Sequence, residues 1–138
     1  MYSKKNKHFA DRYTEFLNEI SEIEAEVSEA DKRYAEHKAK SDAIKAEISV
    51  KKDEISKNIS TINKLEQYGK GSMALQQVEE KKRENQQIEH AICGLLSEME
   101  NISKDLSVAR EKANDANKRL KEKRVQLDRY CKANGINN

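Results

Sequence analysis

A chain of 138 residues with 38% charged side chains, 5% aromatic ones, four Gly and no Pro has the profile of a long helix or coiled coil. Its 36% of hydrophobic residues form a stripe too thin to enclose a pocket, which disfavours an enzyme. A net charge of +2 disfavours nucleic-acid binding through the whole surface.

No apolar run approaches the roughly 18 to 20 residues of a membrane span, and Met1–His8 lacks the apolar core of a signal peptide. A cytoplasmic protein without a membrane span is therefore expected. Cys93 and Cys131 fall on one predicted helix, about 57 Å apart at 1.5 Å per residue, so both are expected as free thiols.

Residues 1–8 are polar and basic, without apolar spacing, and read as a flexible arm. From Phe9 a strict repeat begins: Phe9, Tyr13, Phe16, Ile20, Ile23, Val27, Ala30, Tyr34, His37, Ser41, Ile44, Ile48, Lys51, Ile55, Asn58, Ile62, Leu65. Steps alternating four and three are the heptad of a left-handed coiled coil, with Phe9 opening the d series and Tyr13 the a series. The first helix is thus placed at 9–67. Tyr68-Gly69-Lys70-Gly71-Ser72 is the turn: its two glycines are read as positive-φ positions and Ser72 as the cap of the next helix.

The same arithmetic then resumes over 73–133: Ala74, Val78, Lys81, Asn85, Ile88, Ile92, Leu95, Met99, Ile102, Leu106, Ala109, Ala113, Ala116, Leu120, Lys123, Leu127, Tyr130. Asn134-Gly135 is the stop, and 134–138 are read as a disordered tail. The predicted fold class is all-α, a long two-helix antiparallel coiled-coil hairpin forming a single domain over 9–133, about 90 Å long at 1.5 Å per residue.

Folding back about the turn pairs a with d so that partner numbers sum to 143. Ile55 then meets Ile88, Ile48 meets Leu95, Val27 meets Ala116 and Asn58 meets Asn85, two amides able to set register inside an apolar seam. A sum of 136 loses the Asn pair and ranks second. Between Glu15 and Glu36 stand eight acids and two bases; between Lys118 and Lys132, seven bases and two acids. The hairpin makes these blocks neighbours, with Glu26 near Arg119 and Asp31 near Arg110. A parallel in-register dimer would set like against like. A monomer or a hinge-swapped homodimer is expected, since two copies can pair the same seams across chains.

The chemical candidates have simple readings. His37 is a tolerated polar seam residue, because a metal site wants further ligands at i+3 or i+4 and none is there. Glu22, Glu24 and Glu26 are a solvated face. Gly69-Lys70-Gly71-Ser72 lacks the spacing and preceding strand of a phosphate loop. No catalytic residue, cofactor or metal is expected.

Three features exceed what the seam requires. Tyr68, Met73 and Leu75 crowd the hinge tip as a candidate partner contact. Leu17, Val50, Ile59, Leu96, Val108 and Val125 are apolar but off the seam. The open end gathers bases left over after the acidic run is answered, among them Lys4, Lys5 and Lys7, with Lys118, Lys121, Arg124 and Arg129 as the candidate contacts to an acidic protein surface. Nucleic acid is the lesser candidate there, for want of interleaved aromatics.

In length, lack of Pro, mid-chain turn and the basic run Lys118-Arg119-Leu120-Lys121-Glu122-Lys123-Arg124, residues 9–133 resemble the stalk proteins of type III secretion export and their flagellar counterpart. The resemblance implies a non-enzymatic stalk or adaptor that binds and modulates a hexameric export ATPase and links it to the export gate, with chaperones as further partners and no cofactor. It puts the basic open end, Lys118, Lys121, Arg124 and Arg129, toward the ATPase and the tip, Tyr68 and Met73, toward the gate. The rival expectation is a generic coiled-coil scaffold or tethering subunit of a larger complex.

Overall fold

Lys, Glu, Ala, Leu and Ile at heptad spacing, with no Pro to interrupt them, leave the backbone no better state than helix. The computed structural model describes residues 4–135, with side chains from His8 onward. It holds two helices, α1 (Lys4–Tyr68) and α2 (Ser72–Ala133), and no strand among the described residues. They form an all-α helical hairpin.

The helix bounds differ from the sequence expectation at both ends of α1. Helix begins at Lys4, so only residues 1–3 of the expected arm lie outside the described residues. The apolar repeat starts at Phe9, but the helical backbone does not need an apolar partner in every turn, and lysine is a good helix former. At the other end Tyr68 and Ser72 are helical, and the turn shrinks to Gly69–Gly71.

The two glycines of that turn serve different purposes. Gly71 has φ 90°, and its carbonyl accepts the first bond of α2, from Leu75 N at 3.4 Å, so Gly71 rather than Ser72 is the N-cap. Gly69 does not take a positive φ. It donates its N–H to Leu65 O at 2.8 Å, and a Cβ there would strike that carbonyl oxygen and lie 2.8 Å from the Ala74 Cβ. Close approach, not backbone conformation, is what excludes a side chain at Gly69. α2 ends as expected: Asn134 donates to Tyr130 O, and Gly135 has φ 76°. Residues 136–138 of the expected tail lie outside the described residues.

The chain divides into a terminal unit, the described parts of Met1–His37 with Leu106–Asn138, and a hinge unit, Lys38–Asp105. In each, every a and d position of the expected seam is at least half-buried. The only other shielded side chains among the described residues are Arg12, Glu19, Glu84, Ala91, Asp128 and Cys131. In the hinge unit Ile48, Ile62, Val78 and Ile92 are the buried apolar core. In the terminal unit Phe16, Ile20 and Leu120 share that role with Ala109, Ala113 and Ala116, small residues that allow close helix approach.

Most polar seam positions find partners, His37 and Lys51 being the exceptions among the described residues. Asn58 Nδ2 donates to Asn85 Oδ1 at 2.8 Å and lies 3.4 Å from Glu84 Oε2, which also receives Lys81 Nζ at 3.3 Å. Ser41 Oγ donates to Met99 Sδ at 3.7 Å. The Asn58–Asn85 bond realises the sum of 143 and excludes 136. Asn85→Leu is expected to destabilise the hinge unit by about 1 to 3 kcal/mol, by stranding the Asn58 amide against an apolar neighbour. Replacing both by Leu should recover that loss while relaxing register. Urea unfolding of the three variants measures it; equal stability for the single and double variants would count against a register role.

Candidate partner-binding surfaces

Heptad position decides which cations on α2 are spent inside the hairpin. Arg119 reaches Glu26 across the seam, and Arg124, on the opposite flank, meets Glu24 at 3.3 Å. Lys123, a seam residue, places Nζ 2.5 Å from Glu19 Oε2 and 5.4 Å from the Phe16 ring centre. Lys118, Lys121 and Arg129 occupy the outward b, c and f positions, are exposed, and form no ion pair among the described residues. They cannot reach the acidic run of α1 because they point away from it.

Arg124 must therefore be taken off the list of uncommitted contacts: its guanidinium answers Glu24. The expected Asp31–Arg110 contact is also replaced. Arg110 donates instead to Tyr34 Oη at 3.1 Å, its guanidinium 5.7 Å from that ring's centre. Tyr34 is a seam residue whose hydroxyl extends past the apolar stripe, so its arginine neighbour has a fixed acceptor nearer than the Asp31 carboxylate. Of Lys4, Lys5 and Lys7 only the helical backbone is described.

The terminal unit closes on an aromatic cluster. Phe9 and Tyr130 stack at 5.2 Å with 3° between their planes, Phe9 and Tyr13 at 5.9 Å, and Phe16 tilts against Tyr130 at 5.3 Å. Arg12 lies 4.4 Å over Phe16 and pairs with Glu15 at 2.7 Å. Cys131, 2% exposed, is buried although it stands off the a and d series. Sequence reasoning placed it only as a free thiol; the burial tendency of free cysteine was the available signal. Cys93, by contrast, is exposed.

The Glu19 carboxyl is held below the ordinary glutamate range, chiefly by the hydrogen bond from Lys123, against partial desolvation that pushes it up. A depressed folded-state value means that Glu19 stabilises the unit above its unfolded-state value, about 4.3, and that this contribution is lost as pH falls through the lowered one. Amide protection in α1 and α2 around Glu19 and Lys123, taken relative to the intrinsic exchange rate at each pH, is accordingly expected to fall in acid, and Glu19→Gln to flatten that dependence. An unchanged profile in the variant would assign the acid response to other carboxylates.

At the tip the three apolar side chains named from the sequence point outward. Tyr68, Met73 and Leu75 are 74%, 72% and 67% exposed, so they do not cover the end of the seam. Leu65 and Ala74 close it from below, leaving the three larger side chains outward. Leu17, Ile59 and Leu96 do not widen the buried stripe either: all are exposed. A groove of about 530 Å³ runs along Ala25, Ala30 and Ala116 in the terminal unit, where small side chains leave the flank shallow. Its walls include Glu26 and Arg119, which answer each other.

No family model, no curated protein and no solved structure matches this chain. Its surfaces must speak for themselves. Among the described residues no helix is long and apolar enough to cross a membrane, and no three His, Cys, Asp or Glu side chains converge as metal ligands. Among the surfaces left unspent in the described residues are the outward cations of α2 in the terminal unit and the apolar tip of the hinge unit.

Proposed function

We propose that this chain is a non-enzymatic stalk or adaptor of a bacterial type III protein export apparatus, working in the cytoplasm, binding the hexameric export ATPase and modulating it while linking it to the export gate. The observation that carries the reading is the partition of charge on α2. Arg119, Lys123 and Arg124 are consumed by α1, whereas Lys118, Lys121 and Arg129 stay exposed on one outer face. The mid-chain turn and the two unbroken helices support the same reading, since a stalk needs an extended surface and no pocket of its own.

The mechanism is differential contact. A hairpin with cations on one outer face touches the subunits of a ring unequally, so it favours one conformation where it binds best and shifts nucleotide turnover accordingly. It can shift that balance only by its difference in affinity between the two conformations. Tyr68, Met73 and Leu75 then supply the gate-facing contact, with chaperones as additional partners of the exposed faces. Mixing the purified chain with a hexameric export ATPase should raise hydrolysis or promote ring assembly. Lys118→Glu, Lys121→Glu and Arg129→Glu combined should weaken the effect about tenfold or more, in proportion to the salt sensitivity of the unaltered pair. Absence of both co-elution and any change in hydrolysis would leave a generic scaffold subunit as the better account.

A further inference from the structure

The hinge unit carries charges that its own fold leaves unanswered, sorted by sign onto opposite flanks. Glu66 and Lys82, 3.7 Å apart, mark the flank formed by the e positions of both helices. Stepping back along that flank by heptads gives Lys52, Lys45 and Lys38 on α1, and Leu96 and Ser103 on α2. All five are exposed, and none of the three lysines forms an ion pair among the described residues. Ile59 and Leu96, 48% and 52% exposed, add apolar area to the same flank. Glu89 is the one acid left on it.

The other flank is acidic. Glu54, Glu84 and Asn58 line a groove of about 360 Å³ formed by the g positions beside the seam. Further along lie Glu47 and Glu98, placed opposite each other by the register that joins Asn58 to Asn85, and then Asp105. Glu47, Glu54, Glu98 and Asp105 are exposed and have no ion-pair partner among the described residues; against them stand Lys40 and, in the lining of the groove, Lys57. Like charges facing across an antiparallel pair bring the hairpin nothing and cost a few tenths of a kcal/mol each. Their heptad spacing on one flank nevertheless matches the spacing of the lysines on the other.

We propose that the hinge unit associates side by side with a second copy of this chain, the lysine flank of one copy lying against the glutamate flank of the next. The inference goes beyond the ATPase reading and does not depend on it. Lys38, Lys45 and Lys52 face carboxylates repeated at the same interval, and Ile59 and Leu96 lose solvent contact. Because the two flanks differ, the contact is heterologous, and the pair keeps one free flank of each sign for further copies. Surface charges of this kind give a weak, salt-sensitive association, strongest where the screening length is about 30 Å, near 0.01 M salt, and lost where it is about 3 Å, near 1 M.

Sedimentation equilibrium of the full chain over a concentration series at those two salt levels tests this. The unaltered chain should show an apparent mass that climbs with concentration in low salt only. Lys45→Glu with Lys52→Glu makes both flanks acidic, and Glu47→Lys with Glu98→Lys cancels the acidic excess of the other flank. Each double variant alone should associate at least about tenfold more weakly, and an equimolar mixture of the two should regain association. None of these side chains contributes to the seam, so helical circular dichroism should be unchanged in all. A seam-exchanged dimer would persist in either variant. A mass that stays at 15.9 kDa in low salt, or association that survives in the separate variants, overturns the proposal.

Discussion

Phe16→Ala should unfasten the terminal unit. Phe16 is 5% exposed, tilts against Tyr130 at 5.3 Å, and carries Arg12 and Lys123 over its ring at 4.4 and 5.4 Å. Removing a buried phenyl ring costs about 3 to 5 kcal/mol when the site cannot collapse. Collapse is hindered here, because the Tyr130 ring that flanks Phe16 is held in place by its own stack on Phe9. The Glu19–Lys123 pair should weaken with it, since Lys123 loses the ring beneath its ammonium group. Hydrogen exchange read segment by segment is the appropriate measurement. Amides of Phe9–Val27 and Ala116–Tyr130 are expected to lose protection, while those around Asn58 and Asn85 retain it. Uniform loss along both helices would mean that the chain unfolds as one unit and that the aromatic cluster has no local role.

The second large effect belongs to the turn. At Gly69 an added methyl would collide with the Leu65 carbonyl oxygen and the Ala74 Cβ, and neither can retreat without breaking the end of α1 or the start of α2. Gly69→Ala thus penalises the reversal itself while raising the helix propensity of the three-residue connection by about 1 kcal/mol. A chain that continues as one helix through Gly69–Gly71 can satisfy the same seam only with a second chain. The expected result is a shift from 15.9 kDa to twice that mass by light scattering, insensitive to salt because the seam is apolar. Gly71→Ala should act more mildly: no atom lies within 4 Å of its added Cβ, and only the φ of 90° opposes it, a cost of about 1 to 3 kcal/mol. Gly69→Ala at unchanged mass and unchanged melting temperature would contradict this account of the turn.

Much of this was legible in the residue order. A period of seven is a property of the chain itself, and it names the a and d positions before any coordinate is known. Every one of those positions is shielded, from Phe9 to Leu65 and from Ala74 to Tyr130. The antiparallel register followed from two polar amides able to satisfy each other, and from blocks of opposite charge that the reversal brings together. The candidate surfaces were legible in part. The exposure of Lys118, Lys121 and Arg129 follows from heptad letters alone, and the same letters put Arg124 within reach of Glu24.

What the order of residues determined, then, was where the helices lie and which of their faces meet, because a helix presents its side chains at a fixed angular step. Only the folded structure decided how far each side chain reaches: that Arg110 takes Tyr34 rather than Asp31, that Cys131 is enclosed, that Gly69 is demanded by crowding, and that Tyr68, Met73 and Leu75 stand outward at the tip. Those outcomes depend on distances of an ångström or two between atoms of different helices, and no periodicity along one chain encodes a distance across to another.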